Sequence, residues 1–517
     1  MYLPKSITFS LTLLISGLLL ISPPALTIFI DQPTLLRGAA AQHILHNRPP
    51  PSPEVNDPNL RIETVYEGLE LPTSMAFLGV NDILVTEKDS GLVQRVVDGE
   101  LEEEPVIDVE VANNDERGLL GIDISNTNGT GTNNQRYVYL FFTESGGGED
   151  GDDWSGGIEP SGTRLYRYSI TQGIEGLQLT NETLLLDLPA TPGPRYHGGP
   201  VVIGPDNNVY VVIGTVDHHE TQSQNFEDGP SPDGTSGVIR IPQDGQVANI
   251  QGIISDEIPL NLYYGYGMRQ SFGMEFDPIT GNLWDTENGG ENYDELNLVE
   301  PGFNSGWRDL SGLAERAVDV DIEEDLVHFD DRGRYSDPEF TWQQTVAPTG
   351  LDFLNSSALG AAYQNDLFVG DYNNGNLYHF DLNENRTQLI LGGGLADRAL
   401  DPGDEVDDIL FGTGFGGITD VKVGPDGYLY ILTFQDDGGS IFRIVPESLP
   451  IDADEEEGEE GEEGEEGEAT VATTDNGDTN GADDADEEGE GGEATVDDTG
   501  TPSLGQILAE RIAGTPP

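Results

Sequence analysis

A turn followed by an apolar strand start recurs along this chain, and that recurrence restricts its fold more than any other feature. Gly204-Pro205-Asp206-Asn207-Asn208-Val209-Tyr210 returns as Gly424-Pro425-Asp426-Gly427-Tyr428-Leu429-Tyr430. Looser copies are Asp277-Pro278-Ile279-Thr280-Gly281-Asn282-Leu283-Trp284 and Asn365-Asp366-Leu367-Phe368-Val369-Gly370. With the β-type runs at Ile83 and Tyr137, these give six marks spaced by roughly 50 to 85 residues, a little longer than ordinary blade repeats. Gly, Asn, Asp and Pro punctuate the runs, and no stretch of helical period of useful length lies between them. Six β-units of this size predict an all-β fold, a six-bladed β-propeller of four-stranded antiparallel blades with function in the loops around the axis. A pair of β-sandwiches is the rival arrangement, and the reuse of one turn in similar contexts favours the propeller.

The ends of the chain differ in kind from the middle. Lys5 precedes an apolar run from Ile7 to Ile21, closed by Pro23-Pro24, and Gly38-Ala39-Ala40-Ala41 follows as a small-residue stretch suited to cleavage. Residues 1–41 are therefore expected to be an export signal or an uncleaved anchor, with the body extracellular or at the cell surface. Residues 42–61 read as a Pro- and Asn-rich linker, and 62–446 as the propeller. Residues 447–517 form an acidic low-complexity tail. Its tract from Asp452 to Gly500 has too few large apolar residues to offset the entropy of ordering, which predicts disorder.

Charge excludes one class of partner. The chain carries 96 Asp and Glu against 22 Lys and Arg, a formal net charge of -74. Phosphate recognition needs clustered cations, so nucleic acid is not expected as a partner. Membrane contact is expected only through the N-terminus. There is no cysteine, so neither disulfides nor thiolate metal sites can form.

Several segments, spread over nearly the whole body, resemble the PQQ-dependent soluble sugar dehydrogenases, the glucose/sorbosone dehydrogenase family. Glu116-Arg117-Gly118-Leu119-Leu120-Gly121 is similar to that family's early active-site segment, and Gly237-Val238-Ile239-Arg240-Ile241 to a later strand. The strongest match runs from Tyr264 to Trp307. It holds Gly267-Met268-Arg269-Gln270-Ser271-Phe272-Gly273, Glu287-Asn288-Gly289-Gly290 and Asp294-Glu295-Leu296-Asn297. Val346-Ala347-Pro348-Thr349-Gly350-Leu351 and Ile418-Thr419-Asp420-Val421 complete the pattern.

The resemblance implies a sugar as small-molecule substrate and hydride transfer from C1 of an aldose to PQQ, with Ca2+ polarising the quinone and a histidine as general base. It implies that Arg269 and Gln270, with Glu116, lie against the cofactor. It gives the carbonyls of Gly289 and Gly290 to the cofactor's Ca2+, and Glu295, beside Asp294, to a second one. Hard oxygen ligands crowded in one Gly/Asn loop suit that ion.

The chain departs from the family pattern at the base position and at three cationic positions. Where the family reads His-Asn-Gly-Gly, this chain reads Tyr196-His197-Gly198-Gly199, so a tyrosine takes the base position and His197 sits one residue later. Successive strand residues face opposite ways, although a bulge can restore the aim. A phenol holds its proton at neutral pH, which leaves His197 as the expected base and Tyr196 beside it. The family's lysine becomes Asn373, and its two arginines become Gly417 and Thr419. A non-catalytic extracellular propeller binding glycans or a surface protein is the alternative, since one fold hosts many functions.

Overall fold

The computed structural model describes residues 52–448, apart from 126–135, 174–175, 218, 248–249, 319, 404–405 and 436–437. The expected export signal or anchor and the acidic tail from 449 lie outside the described residues.

The two close copies of the repeated sequence unit fold into the same turn. In the first copy the Gly204 amide bonds the Asn208 carbonyl and the Asn207 amide returns to the Gly204 carbonyl. In the second, Gly424 bonds Tyr428 and Gly427 returns to Gly424. The aspartate between them accepts the following tyrosine hydroxyl at 2.9 Å in both, Tyr210 to Asp206 and Tyr430 to Asp426. Asn207 and Gly427 both take positive φ, 62° and 82°, which Asn and Gly tolerate best.

These turns and their relatives organise a β-propeller whose described strands lie in six sheets. The innermost strands are Pro72–Gly79, Leu119–Ile124, Val201–Ile203, Ser271–Phe276, Pro348–Phe353 and Gly417–Val423. Each touches the innermost strand of the next sheet, and Gly417–Val423 touches Pro72–Gly79, which closes the ring. Outward from each inner strand the chain meanders antiparallel. Two four-residue helices, Asp152–Ser155 and Ile322–Asp325, are the α-helical content among the described residues.

Two expectations need correction. The sheets are not uniformly four-stranded: two have four strands, and the rest five or six. Short edge strands are added in parallel, such as Phe303–Asn304 on Tyr263–Tyr266 and Ala399–Leu400 on Phe340–Trp342. Strands of two residues carry no readable period. The linker expected over 42–61 also ends early, because Glu54–Val55 already pairs with Gly412 and Thr413. Leu60–Leu69 then pairs with Gly438–Pro446 as the outer strand of the last sheet. The ring is thus fastened by joining the two ends of the body in one sheet.

Carboxylates on the inner strands stitch neighbouring sheets. Asp123 accepts its own next amide, Ile124, at 2.7 Å and Ile203 of the next sheet at 2.8 Å. Asp352 does the same with Phe353 at 2.6 Å and Val423 at 2.7 Å. Asp420 does so with Val421 and Met75, both at 2.9 Å. Lys422 answers this negative ring, with Nζ 2.9 Å from Glu275 and its pKa raised by Glu275, Asp420, Asp352 and Asp123 against the cost of burial. Lys422→Met is therefore expected to cost on the order of 3 kcal/mol, because it leaves buried carboxylates uncompensated. Urea unfolding measures this, and a cost too small to resolve would show that the ring needs no internal cation.

Candidate active site

The N-terminal ends of the innermost strands and the hairpins between second and third strands lie at one end of an antiparallel meander. That geometry gathers 116–118, 195–198, 267–270 and 288–293 on the same face. Gly198 is needed at its corner: its φ is 77°, and a Cβ there would lie 2.2 Å from the Val212 carbonyl oxygen.

Glu116 is the hub. Its Oε2 accepts the Tyr196 amide at 2.5 Å and Gln270 Nε2 at 2.8 Å. Loss of hydration raises its carboxyl to about 7, against the lowering effect of the Tyr196 amide and of Arg269 and Arg195. A carboxyl at that value exchanges protons near neutral pH.

Gln270 is buried, with both ends of its amide engaged. While Nε2 donates to Glu116, Oε1 accepts the Gly198 amide at 3.0 Å. It positions Glu116 rather than presenting a face to a cofactor.

Arg269 lies between two rings. Its Cζ is 4.3 Å from the Tyr196 ring centre and 5.4 Å from that of Trp307. Nη1 donates to the carbonyls of Asn288 at 2.9 Å and Gly289 at 2.5 Å, and its amide to Glu287 Oε1 at 2.7 Å. A second guanidinium, Arg195, lies 5.4 Å from the same Tyr196 ring and pairs with Asp217 at 2.6 Å.

His197 does not serve as expected. It is wholly buried, its Nε2 donates to the Gly193 carbonyl at 3.0 Å, and its Nδ1 lies 3.1 Å from Thr163 Oγ1. Burial pushes its pKa down to about 3. A neutral imidazole with both nitrogens bonded is a strut inside the wall, with no nitrogen for a substrate proton. The cause is Tyr196, whose φ of 65° turns the chain so that its own ring faces Arg269 and the next side chain points inward.

The expected calcium loop is partly rebuilt by the strand register. Glu287 and Glu295 sit opposite one another across the pair Leu283–Glu287 and Asp294–Val299. Both are buried, and Ser305 Oγ lies 2.6 Å from Glu287 Oε2 and 3.2 Å from Glu295 Oε2. Burial pushes Glu287 up to about 7, and burial with the Glu287 charge pushes Glu295 well above the carboxylate range. Buried oxygens without a partner lie on or beside the same strands: Asp285 Oδ1, Asn288 Oδ1 and Asn297 Oδ1. Two buried carboxylates with spare oxygens nearby suit a hard cation.

Asp294, by contrast, is removed from the ligand set. Its oxygens accept the amides of Gly289 at 2.8 Å, Val346 at 2.7 Å and Ala347 at 2.8 Å, so it braces the loop. The Gly289 carbonyl faces Arg269, and Gly290 is exposed. Asn373 is exposed and reaches the Thr345 carbonyl at 3.4 Å, whereas Thr419 bonds Leu432 at 3.4 Å; neither shares a hydrogen bond with the Glu116 group. Sequence reasoning missed Asn297 and Ser305 as members of the carboxylate site. Residues two apart on a strand share a face, so the pairing of Glu295 with Asn297 was readable.

Comparison with known proteins gives consistent results. The family model described as Glucose / Sorbosone dehydrogenase matches residues 69–443. The chain is 22% identical over 394 residues to a protein named aldose sugar dehydrogenase from Escherichia coli K12, covering 75% of this chain and 94% of that one. Among solved structures it is similar to an oxidoreductase from Thermus thermophilus described as a glucose dehydrogenase, with a TM-score of 0.55 and 25% identity, covering 75% of this chain and 100% of that one. It also shares its fold with the PQQ-bound aldose sugar dehydrogenase of Streptomyces coelicolor, at a TM-score of 0.51 and 21% identity, covering 77% and 99%.

Proposed function

This chain belongs to the glucose/sorbosone dehydrogenase family, and we propose that it is an exported sugar dehydrogenase that oxidises C1 of an aldose with PQQ and Ca2+. The observation that carries this reading is Glu116, a carboxyl poised near neutrality beside a guanidinium held between two rings. We read each of the six sheets as one blade, with this group at the end of the axis.

The residues present fit such groups. Arg269 and Arg195 offer positive charge to an anionic planar quinone, with the Tyr196 and Trp307 rings beside them. Arg195 supplies some of the charge that Asn373 and Thr419 do not. The Glu287–Glu295 pair with Asn297 would hold one Ca2+, while the Asn288 and Gly289 carbonyls already accept from Arg269 Nη1. When bound, PQQ supplies a hydride acceptor and Ca2+ a Lewis acid.

The chain's own part is proton handling. Glu116 Oε1 takes the C1-hydroxyl proton as the C1–H bond gives up its hydride, and the sugar leaves as a lactone. Gln270 and the Tyr196 amide hold Oε2 still during this transfer. His197, by bonding Gly193, keeps the 193–198 segment in shape, and its role is positioning.

Location outside the cytoplasm is supported by the apolar run at 7–21. Among the described residues, no helix is long and apolar enough to cross a membrane. The test is aldose-dependent reduction of an artificial acceptor by the chain reconstituted with PQQ and Ca2+.

A further inference from the structure

A second group of ligand-type side chains lies on the fifth sheet, away from the Glu116 face. Asp366 comes immediately before the strand Leu367–Asp371, and His379 and Asp381 lie at the end of Leu377–Phe380. The antiparallel register pairs Leu367 with Phe380 and Phe368 with His379. It thereby sets Asp366 across from Asp381. The hairpin that carries Asn373 is at the other end of these same strands, so this group is separate from the candidate active site.

His379 Nε2 lies 2.9 Å from Asp366 Oδ2 and 3.9 Å from Asp381 Oδ1. One ligand atom from each of the three falls within 4.8 Å of the others. Donor atoms held at about 2.0–2.1 Å from one tetrahedral ion stand about 3.3 Å apart, so the group is already near the spacing one ion would impose. The imidazole is clamped between aromatic neighbours, with the Tyr363 ring edge-on at 5.3 Å and the Phe368 ring at 5.0 Å. Asp366 is mostly buried, while Asp381 stays open to solvent, which gives an ion a route in.

We propose that Asp366, His379 and Asp381 bind one transition-metal dication of the Zn2+ type, with water completing its coordination. The imidazole is what selects the ion. Nitrogen ligands suit Zn2+ and its neighbours, whereas Ca2+ and Mg2+ prefer an all-oxygen set. Two carboxylates facing one imidazole also neutralise the charge of a dication. Bound there, the ion would fasten two adjacent strands and stabilise the folded state by mass action.

The test is calorimetric titration of the full chain with Zn2+ in excess Mg2+, which occupies the many other acidic groups. Co2+ is used in parallel, for the visible absorption of a low-coordinate site. One Zn2+ per chain is expected, with Asp381→Asn weakening it roughly tenfold or more. Asp381 is exposed, so this variant keeps its fold, and His379→Gln is expected to abolish the Co2+ band. Zn2+ that Mg2+ displaces, or that binds parent and Asp381→Asn alike, would overturn the proposal.

Discussion

Glu116→Gln is expected to lower sugar turnover of the reconstituted chain by about 10²- to 10⁴-fold, the usual contribution of a positioned base. Glutamine keeps the side-chain length and still offers an oxygen to the Tyr196 amide and to Gln270, so the variant should fold and its melting temperature at pH 8 should not fall below the parent's. The parent's turnover should rise with pH through about 7, as Glu116 loses its proton and becomes able to accept one. The variant should lack that rise. His197→Ala should behave differently. It opens a cavity in a packed wall and leaves the Gly193 carbonyl with Arg117 Nη2 alone, costing about 2–4 kcal/mol of stability, while the protein that stays folded keeps the same dependence on pH. An active Glu116→Gln, or a pH dependence that disappears with His197 instead, would return the proton to the histidine.

Stability should rise as the pH falls from 8 towards 5.5, and Ca2+ should flatten that slope. Burial raises Glu116, Glu287, Glu339 and Asp352 to about 7 and Asp123 to about 6. A group whose folded pKa is raised binds its proton more tightly when folded. Its contribution is fully present below the unfolded value near 4 and is lost as the pH climbs through 6 to 7. Each tenfold tightening of that proton is worth about 1.4 kcal/mol, so five such groups give a large effect. The net charge of -74 acts in the same sense, because protonation relieves self-repulsion. Asp57, held low by the Asn59 amide and the Tyr363 hydroxyl, opposes this only in stronger acid. A dication between Glu287 and Glu295 removes their need for a proton, so added Ca2+ should raise the melting temperature most at pH 8, and EDTA should reverse it. Melting curves that ignore both pH and Ca2+ would remove the carboxylate pair as a cation site.

The turns were legible because Asp, Asn and Gly at fixed offsets make the same bonds wherever they occur, as Asp206 and Asp426 do. The two-residue parallel edge strands were not legible, since nothing in a pair such as Phe303–Asn304 distinguishes it from a loop. The direction of His197 was hidden for another reason. It depends on a positive φ at Tyr196, a residue type that gives no sign of it. Glu116 was visible as a lining residue, but its readiness to exchange a proton comes from burial, which outweighs the two donors on its one oxygen. Asp294 and Glu295 are neighbours with opposite fates, because alternate strand residues face opposite sides. One meets three backbone amides and the other meets Glu287.

The measurement closest to the central claim is aldose oxidation by the purified chain, followed as reduction of an artificial electron acceptor with PQQ and Ca2+ present. Turnover is expected that needs both additions, rises with pH through about 7 and falls sharply in Glu116→Gln. A chain that folds and takes up Ca2+, yet neither binds PQQ nor oxidises any aldose, would contradict it.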